Sequence, residues 1–394
     1  MTSLNRRPVL SRVIPDLIRD PWTGLLGLVV NPVAGLGGPA GLKGSDGTAT
    51  QQLARARGAE PHAGDRAARM LGVLATALPD VRILTAAGPM GADAVARAGL
   101  RGEAVWAPGS SDTSGDDTTA ATAALVAAGA GLVLFVGGDG TARDVVAGLP
   151  EGVPMLGVPA GVKMYSSCFA VGPEAAGALA VRWLDGGLPT RTAEVLDIDE
   201  DALRAGRTEP RLHALVPVPE WAGRTQARKA ATPASEAAAV AASARGALAR
   251  LEPGVRYLLG PGGTIAELGR QLGVAPSPLG VDVLLDGRLL ARDAAEPELF
   301  EHVADGPARA VVTVIGGQGF LIGRGNQQLS PRVLRALAPE PLLVVATEQK
   351  LLDLAGRPLL LDTGDPTLDA ELAGHVRVVT GPGSMAMYPI ASAQ

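Results

Sequence analysis

The residues with the most chemical potential form one short run, Phe135-Val136-Gly137-Gly138-Asp139-Gly140-Thr141. An apolar segment, Leu132–Val136, leads into it, and a helix-forming segment, Ala142–Ala147, leads out. Glycines at such a junction let the backbone turn sharply and bring N–H groups close to an anion. The helix N-terminus adds a dipole that favours negative charge. The combination reads as a phosphate cradle. A carboxylate in such a cradle is electrostatically costly unless it has a task. Two tasks suit Asp139: holding Mg²⁺, or accepting the proton of an attacking hydroxyl. Thr141 can donate to a phosphate oxygen or cap the helix. The blander alternative is a strand-to-helix turn capped by its own Asp.

Three other glycine-rich segments invite the same question. Asn31-Pro32-Val33-Ala34-Gly35-Leu36-Gly37-Gly38 follows a second apolar run, and Asn31 can bond phosphate oxygens from a strand end. Gly35, Gly37 and Ala40 loosely match a dinucleotide fingerprint, but Pro39 falls inside it, and Lys43 misses the Walker spacing. Lys163 follows the apolar stretch 156–162 and can carry charge to a phosphate, or simply lie in solvent. In the segment 315–328, glycines surround Gln318, Arg324 and Asn326. Arg forks onto phosphate, and Asn reads a base or ribose; the alternative is a hairpin with a glycine turn. Asp362-Thr363-Gly364-Asp365 reads first as a capped turn and second as a cation site. The four histidines, at 62, 213, 302 and 375, show no metal-ligand spacing, so no metal residue is assigned. The single cysteine, Cys168, excludes an internal disulfide and reads as a small packed residue.

These residues need elements to hold them. The run Leu25–Val30 is continuously apolar, as strands buried on both faces are. Met70, Leu71, Leu74 and Leu78 share one helical face over 65–78. Further strands are expected at 81–84, 132–136 and 155–158, and helices at 91–98, 118–128 and 174–185. That alternation predicts parallel βαβ units. The second half is less regular. A mobile loop and a surface helix are expected over 217–250, then strands at 257–259, 281–285, 311–315 and 342–346, with strands dominating 355–380. The fold class is therefore α/β: an N-terminal doubly wound parallel sheet with a second mixed α/β, strand-rich C-terminal domain. The expected partition is an extension at 1–23, a nucleotide-binding domain at 24–195, and a domain at 196–394 that completes the site.

With 394 residues, 47% hydrophobic and 19% charged, the chain has material for two cores and is no disordered polymer. A net charge of −5 gives no cationic footprint for nucleic acid. The uncharged stretches 21–42 and 118–138 are interrupted by Asn31-Pro32 or glycine, so they read as buried strands with loops, not membrane spans. The expectation is a cytoplasmic protein of small-molecule nucleotide substrates, with no nucleic acid or membrane partner; a homo-oligomer is compatible with it.

The loops together resemble the superfamily of NAD kinases and diacylglycerol or sphingosine lipid kinases, through GGDGT at 137–141. More narrowly, the chain is similar to the ATP-NAD kinase family that includes the acetoin-catabolism X proteins. The segments that carry this are 31–47, 66–71, 135–144, 157–170 (GVPAGVKMYSSCFA), 279–283 and 316–331 (GGQGFLIGRGNQQLSP). The resemblance implies a kinase that phosphorylates the NAD ribose 2′-hydroxyl, with ATP or polyphosphate as donor and Mg²⁺ as cofactor. It implies that Asp139 acts on the acceptor hydroxyl. Gly137, Gly138, Gly140 and Thr141 would line the phosphates, and Asn31 would meet them as the Asn-Pro loop of lipid kinases does. Lys163, Arg324 and Asn326 complete the expected nucleotide site. Where NAD kinases run through Asn-x-Gly-x-Leu-Gly-Phe, this chain has Pro159-Ala160-Gly161-Val162-Lys163-Met164.

Overall fold

A computed structural model describes residues 24–42, 48–110, 112–161, 164–186, 188–197, 211–221, 237–315, 317–337 and 339–393. The expected extension at 1–23 lies outside them, as does Lys163.

In the N-terminal half the strands are β1 (Leu26–Val30), β2 (Arg82–Ala86), β3 (Arg101–Trp106), β4 (Leu132–Gly137) and β5 (Met155–Pro159). The helices are α1 (Thr48–Ala56), α2 (Ala63–Ala77), α3 (Ala92–Arg97), α4 (Gly115–Ala127), α5 (Asp139–Gly148) and α6 (Pro173–Leu184). The five strands form one parallel sheet in the order β3-β2-β1-β4-β5. Every residue of β1, β4 and β5 is buried, which explains their unbroken apolar character. Met70, Leu71 and Leu74 of α2, Leu179 and Trp183 of α6, and Val95 of α3 cover one face. Leu125 of α4, Val145 of α5 and a two-stranded ribbon cover the other. That ribbon is β6 (Thr190–Asp197) paired antiparallel with β7 (Arg211–Pro219). The doubly wound expectation is met, with helices on both faces.

Strand order decides where a ligand can sit. After β1 the chain moves to β2 and β3 on one side; β4 and β5 lie on the other. The connections above β1 and β4 therefore diverge and leave a crevice at the carboxyl ends of these two strands.

The C-terminal half opens with α7 (Ala237–Leu248), β8 (Arg256–Leu259), α8 (Gly263–Leu272), β9 (Asp282–Leu285), β10 (Arg288–Ala291), α9 (Glu296–Ala304) and β11 (Ala308–Thr313). It continues with β12 (Phe320–Ile322), α10 (Pro331–Ala336), β13 (Leu342–Val345), α11 (Glu348–Leu352), β14 (Leu359–Leu361), α12 (Pro366–Leu372), β15 (Gly374–Gly381) and β16 (Ser384–Ser392). These strands form a mixed sheet in the order β10-β9-β8-β11-β13-β15-β16-β14-β12. Its centre, β8-β11-β13-β15, is parallel.

The surface helix expected within 217–250 is α7, which leaves Ala237, Ala238, Ala239 and Arg245 exposed and buries Ser243, Ala244, Gly246 and Ala247 against the sheet. A Cβ at Gly246 would lie 2.3 Å from the Gly381 carbonyl oxygen, so the small residues serve close packing. The loop expected before it falls largely on 222–236, outside the described residues, and 211–219 is strand β7.

Candidate functional site

The crevice above β1 and β4 brings two of the predicted loops together. Asn31 follows β1, and its backbone N–H donates to the Val136 carbonyl at 3.0 Å. Its side-chain Nδ2 donates to Thr141 Oγ1 at 3.0 Å, and its Oδ1 accepts from the Val33 N–H at 3.2 Å. Asn31 thus joins the Asn-Pro loop to the first turn of α5. The segment 32–41 is a succession of turns with no helix, so the loose fingerprint at Gly35, Gly37 and Ala40 lacks the helix that would carry a pyrophosphate.

The glycines divide into two roles. A Cβ at Gly137 would sit 2.3 Å from the Thr141 side chain, and one at Gly161 would sit 2.6 Å from Gly138 Cα. At Gly35, with φ 79°, a Cβ would sit 2.1 Å from the Ala160 carbonyl oxygen. These three are small because the first turn of α5 presses on Gly137 and neighbouring loops press on Gly161 and Gly35. Gly138 and Gly140 flank Asp139 and keep partial exposure. Gly138 is the N-cap of α5, with no side-chain cap bond, so the first amides of that helix are not capped by a side chain.

Asp139 is the first residue of α5. The Tyr165 N–H donates to its Oδ2 at 2.7 Å and the Ser166 N–H to its Oδ1 at 3.1 Å. Burial pushes its carboxyl up from 3.8 to about 6; the hydrogen bonds from Tyr165 and Ser166 and the charge of Arg143 pull the other way. At neutral pH the group is largely ionised yet a far better proton acceptor than a solvated Asp.

The clasp around Asp139 is built by the segment 164–170. Ser166 Oγ accepts from the Leu196 N–H, and Ser167 Oγ accepts from the Glu194 N–H, both at 2.9 Å. The pair thereby fixes the segment to β6. On its other side the Gly157 N–H donates to the Cys168 carbonyl and the Ala170 N–H to the Gly157 carbonyl, tying it to β5. Phe169 meets Phe135 edge to face, with centroids 5.3 Å apart. Cys168 is wholly buried, and burial pushes its thiol well above the ordinary range, so it is inert packing.

The 315–328 segment grips this clasp from the other half of the chain. Gln318 Nε2 donates to the Met164 carbonyl at 3.0 Å, and Gln327 Nε2 donates to the Gly161 carbonyl at 3.1 Å. Asn326 braces its own loop: Nδ2 donates to the Leu321 carbonyl, and Oδ1 accepts from the Gly323 N–H. Arg324 is buried over the Phe320 ring and donates to Asp362 at 2.7 Å and to the Gly323 and Val171 carbonyls. Arg66 makes a two-bond fork to the same Asp362, at 2.8 and 3.0 Å, and also donates to the Pro159 carbonyl. A guanidinium without a counter-ion could not stay buried here, so Asp362 holds both. The two cations hold the Asp362 carboxyl far below its usual range. Asp365 caps α12 by accepting from the Thr367 and Leu368 N–H groups. The turn reading of 362–365 is thus the observed one.

Among the described residues, no group of three or more His, Cys, Asp or Glu side chains could hold a metal ion. Asp139 offers the spare lone pairs of one carboxylate. That suits Mg²⁺ arriving on nucleotide phosphates, which needs one or two protein carboxylates, and not an all-protein cage. No helix among the described residues is long and apolar enough to cross a membrane.

Comparison with known proteins adds the following. Residues 26–188 match the model of the ATP-NAD kinase N-terminal domain, and residues 252–390 match that of the ATP-NAD kinase C-terminal domain. No curated protein matches. Two solved structures described as a "putative diacylglycerol kinase" from Bacillus anthracis str. Sterne are 19% and 17% identical. Each alignment covers 40% of this chain and 41% of that one, with a TM-score of 0.23, a likeness that carries no argument.

Proposed function

The chain belongs to the ATP-NAD kinase family, and from that premise we propose that it transfers the γ-phosphoryl group of ATP to the ribose 2′-hydroxyl of NAD, giving NADP. The observation that carries this reading is the clasped carboxylate of Asp139, raised to about 6, above the β1/β4 crevice. Phosphoryl transfer asks a protein mainly for positioning and charge neutralisation. Asp139 accepts the proton of the acceptor hydroxyl as its oxygen bonds to phosphorus, and the bond from phosphorus to the ADP oxygen breaks. The two backbone N–H groups fix the direction of the carboxylate lone pairs without neutralising the base. Gly138, Gly140 and the opening amides of α5 face the phosphoryl oxygens, and Thr141 and Asn31 hold the two loops at a fixed spacing. Mg²⁺ carried on ATP would supply charge neutralisation at the phosphates, and Asp139 is the carboxylate that would hold it. Lys163, following the same loop, is a further cation for the donor.

In sequence the segment 159–164 departs from the NAD-kinase pattern, so a different hydroxyl acceptor is the second reading. The deciding assay mixes the purified chain with ATP, Mg²⁺ and NAD and follows NADP with an NADP-specific dehydrogenase. NADP formation that disappears in Asp139→Asn is expected. Turnover on another hydroxyl compound with none on NAD would move the assignment to the second reading, and saturable ATP binding without turnover on any acceptor would sink both.

A further inference from the structure

The C-terminal sheet holds a second place where connections part, although β9 runs antiparallel to β8 where β2 runs parallel to β1. From β8 the chain passes to β9 on one side, whereas β11 lies on the other side and leads on, through β12, to β13. Strands β8 and β11 are parallel neighbours, with Val311 beside Leu259. Their carboxyl ends therefore flank a second point where the connections diverge and a ligand can enter. Strand β8 runs into Gly260-Pro261-Gly262-Gly263 and then into α8, as β4 runs into Gly137-Gly138-Asp139 and α5. Gly262 and Gly138 are the two N-caps, and neither helix has a side-chain cap bond. Gly263 therefore occupies in α8 the position that Asp139 occupies in α5.

A cavity of about 150 Å³ lies at this point. Its wall includes Gly262, Gly263, Thr313, Arg324, Lys350 and, from the other half of the chain, Tyr165. Among the described residues, the wall holds two charged side chains, both cationic, and no carboxylate. Lys350 Nζ reaches the Val314 carbonyl, at the end of β11, at 3.5 Å. Arg324 belongs to a trio of two guanidinium groups around one carboxylate, which carries one net positive charge. Thr313 is 7% exposed and buries its hydroxyl without a partner; the Arg324 Nε is likewise buried without one. Unpaired buried polar groups carry a free-energy cost that a ligand's oxygens would remove. Gly262 has φ 137°, and a Cβ there would lie 2.6 Å from Thr313 Cγ2, so the turn is held tight against the Thr313 methyl group.

We propose that this crevice is an oxyanion subsite that holds a phosphoryl group of the acceptor while the acceptor's hydroxyl faces Asp139. The inference rests on the kinase reading for its role, but not for its ligand chemistry. Tyr165 supplies the link, because its N–H clasps Asp139 while the residue forms part of the cavity wall. The volume is well below the roughly 300–1,000 Å³ that encloses a whole drug-sized ligand, so it takes a phosphoryl head and not an entire dinucleotide. Two sources share that chemistry: a sugar phosphomonoester and the pyrophosphate of a dinucleotide.

The test uses the full chain and inorganic phosphate as probe, with binding read by phosphorus NMR line broadening. Gly263→Asp places a carboxylate where nothing lies within 4 Å of the new Cβ, so the fold tolerates it. It should abolish the phosphate binding that persists when ATP fills the α5 cradle, with the circular dichroism spectrum and melting temperature preserved, and Gly263→Ala should keep that binding. Lys350→Gln should weaken binding about tenfold or more, as expected for losing one charged partner. In turnover the same variant should raise KM for the acceptor and leave kcat nearly unchanged. Phosphate binding that is absent in the native chain, or equal in the native chain and Gly263→Asp, would overturn the subsite. Displacement of phosphate by ribose 5-phosphate or by NAD distinguishes the two sources. Binding without turnover removes the kinase reading and leaves the subsite, whereas turnover with an acceptor KM indifferent to Lys350→Gln does the reverse.

Discussion

The crevice above β1 and β4 and the crevice above β8 and β11 use one backbone device for opposite charges. Each has a pair of parallel strands, a glycine turn and an uncapped helix N-terminus. In the first, a carboxylate stands at the helix start and two N–H groups hold it. In the second, the same helix position is Gly263, and the wall is lined by Arg324, Lys350 and an unpaired hydroxyl. The comparison teaches that a strand-glycine-helix junction specifies only that an anion is welcome. The side chain at the first helical position decides whether a proton acceptor stands beside that anion or leaves it to cationic neighbours alone.

The strongest way to break the contrast is to remove the carboxylate. Asp139→Asn keeps the shape and loses the proton acceptor, so kcat should fall by roughly 10²–10⁴; steady-state kinetics with the NADP-coupled assay measure it, and a full rate would end the role. Next in size is the seam between the two crevices. Asp362→Asn leaves Arg66 and Arg324 buried with one neutral partner, which should cost about 3–5 kcal/mol in denaturant unfolding. Because Asp362 is held ionised far below its unfolded pKa, its contribution is present at neutral pH and fades as pH falls below about 4. A variant whose acid unfolding matches the native curve would contradict this.

A smaller effect is expected from Gly161→Ala, whose Cβ would push against Gly138. Overpacking of this kind costs about 1–3 kcal/mol, and the displaced loop should lower kcat more than it raises KM. The pH profile sharpens the comparison without mutation. Burial raises the Asp139 pKa, so kcat/KM should climb with pH and level off above about 6; Arg143→Gln should move that inflection upward. Smallest of all, Thr313→Val removes a buried hydroxyl with no partner, and unfolding should show little change or a slight gain while phosphate binding weakens.

Much of the first crevice was legible in the residues. The apolar run before Gly137 and the helix after Asp139 are local patterns, and local patterns survive into the fold. The clasp was not legible, because Tyr165 and Ser166 act through backbone amides, and a backbone amide leaves no mark in a sequence. Its platform, the β6–β7 ribbon, also escaped notice. It runs past 198–210, outside the described residues, and β7 carries the prolines Pro217 and Pro219. Arg324 and Asn326 could be picked out as chemically capable residues, but not where their hydrogen bonds go. Lys350 and Thr313 carried no local signal, for a lone Lys and a Thr at a strand end are ordinary surface and core residues.

The order of apolar and glycine-rich segments by itself determined that strands end in anion-tolerant turns, since burial on both faces and a positive or crowded glycine backbone are requirements of neighbouring residues. Tertiary structure alone decided which turns face each other. Arg66 meets Asp362 across 296 positions and Gln318 meets Met164 across 154. Pairings that distant are chosen by strand order and by the need to neutralise buried charge, and neither is written within any one segment.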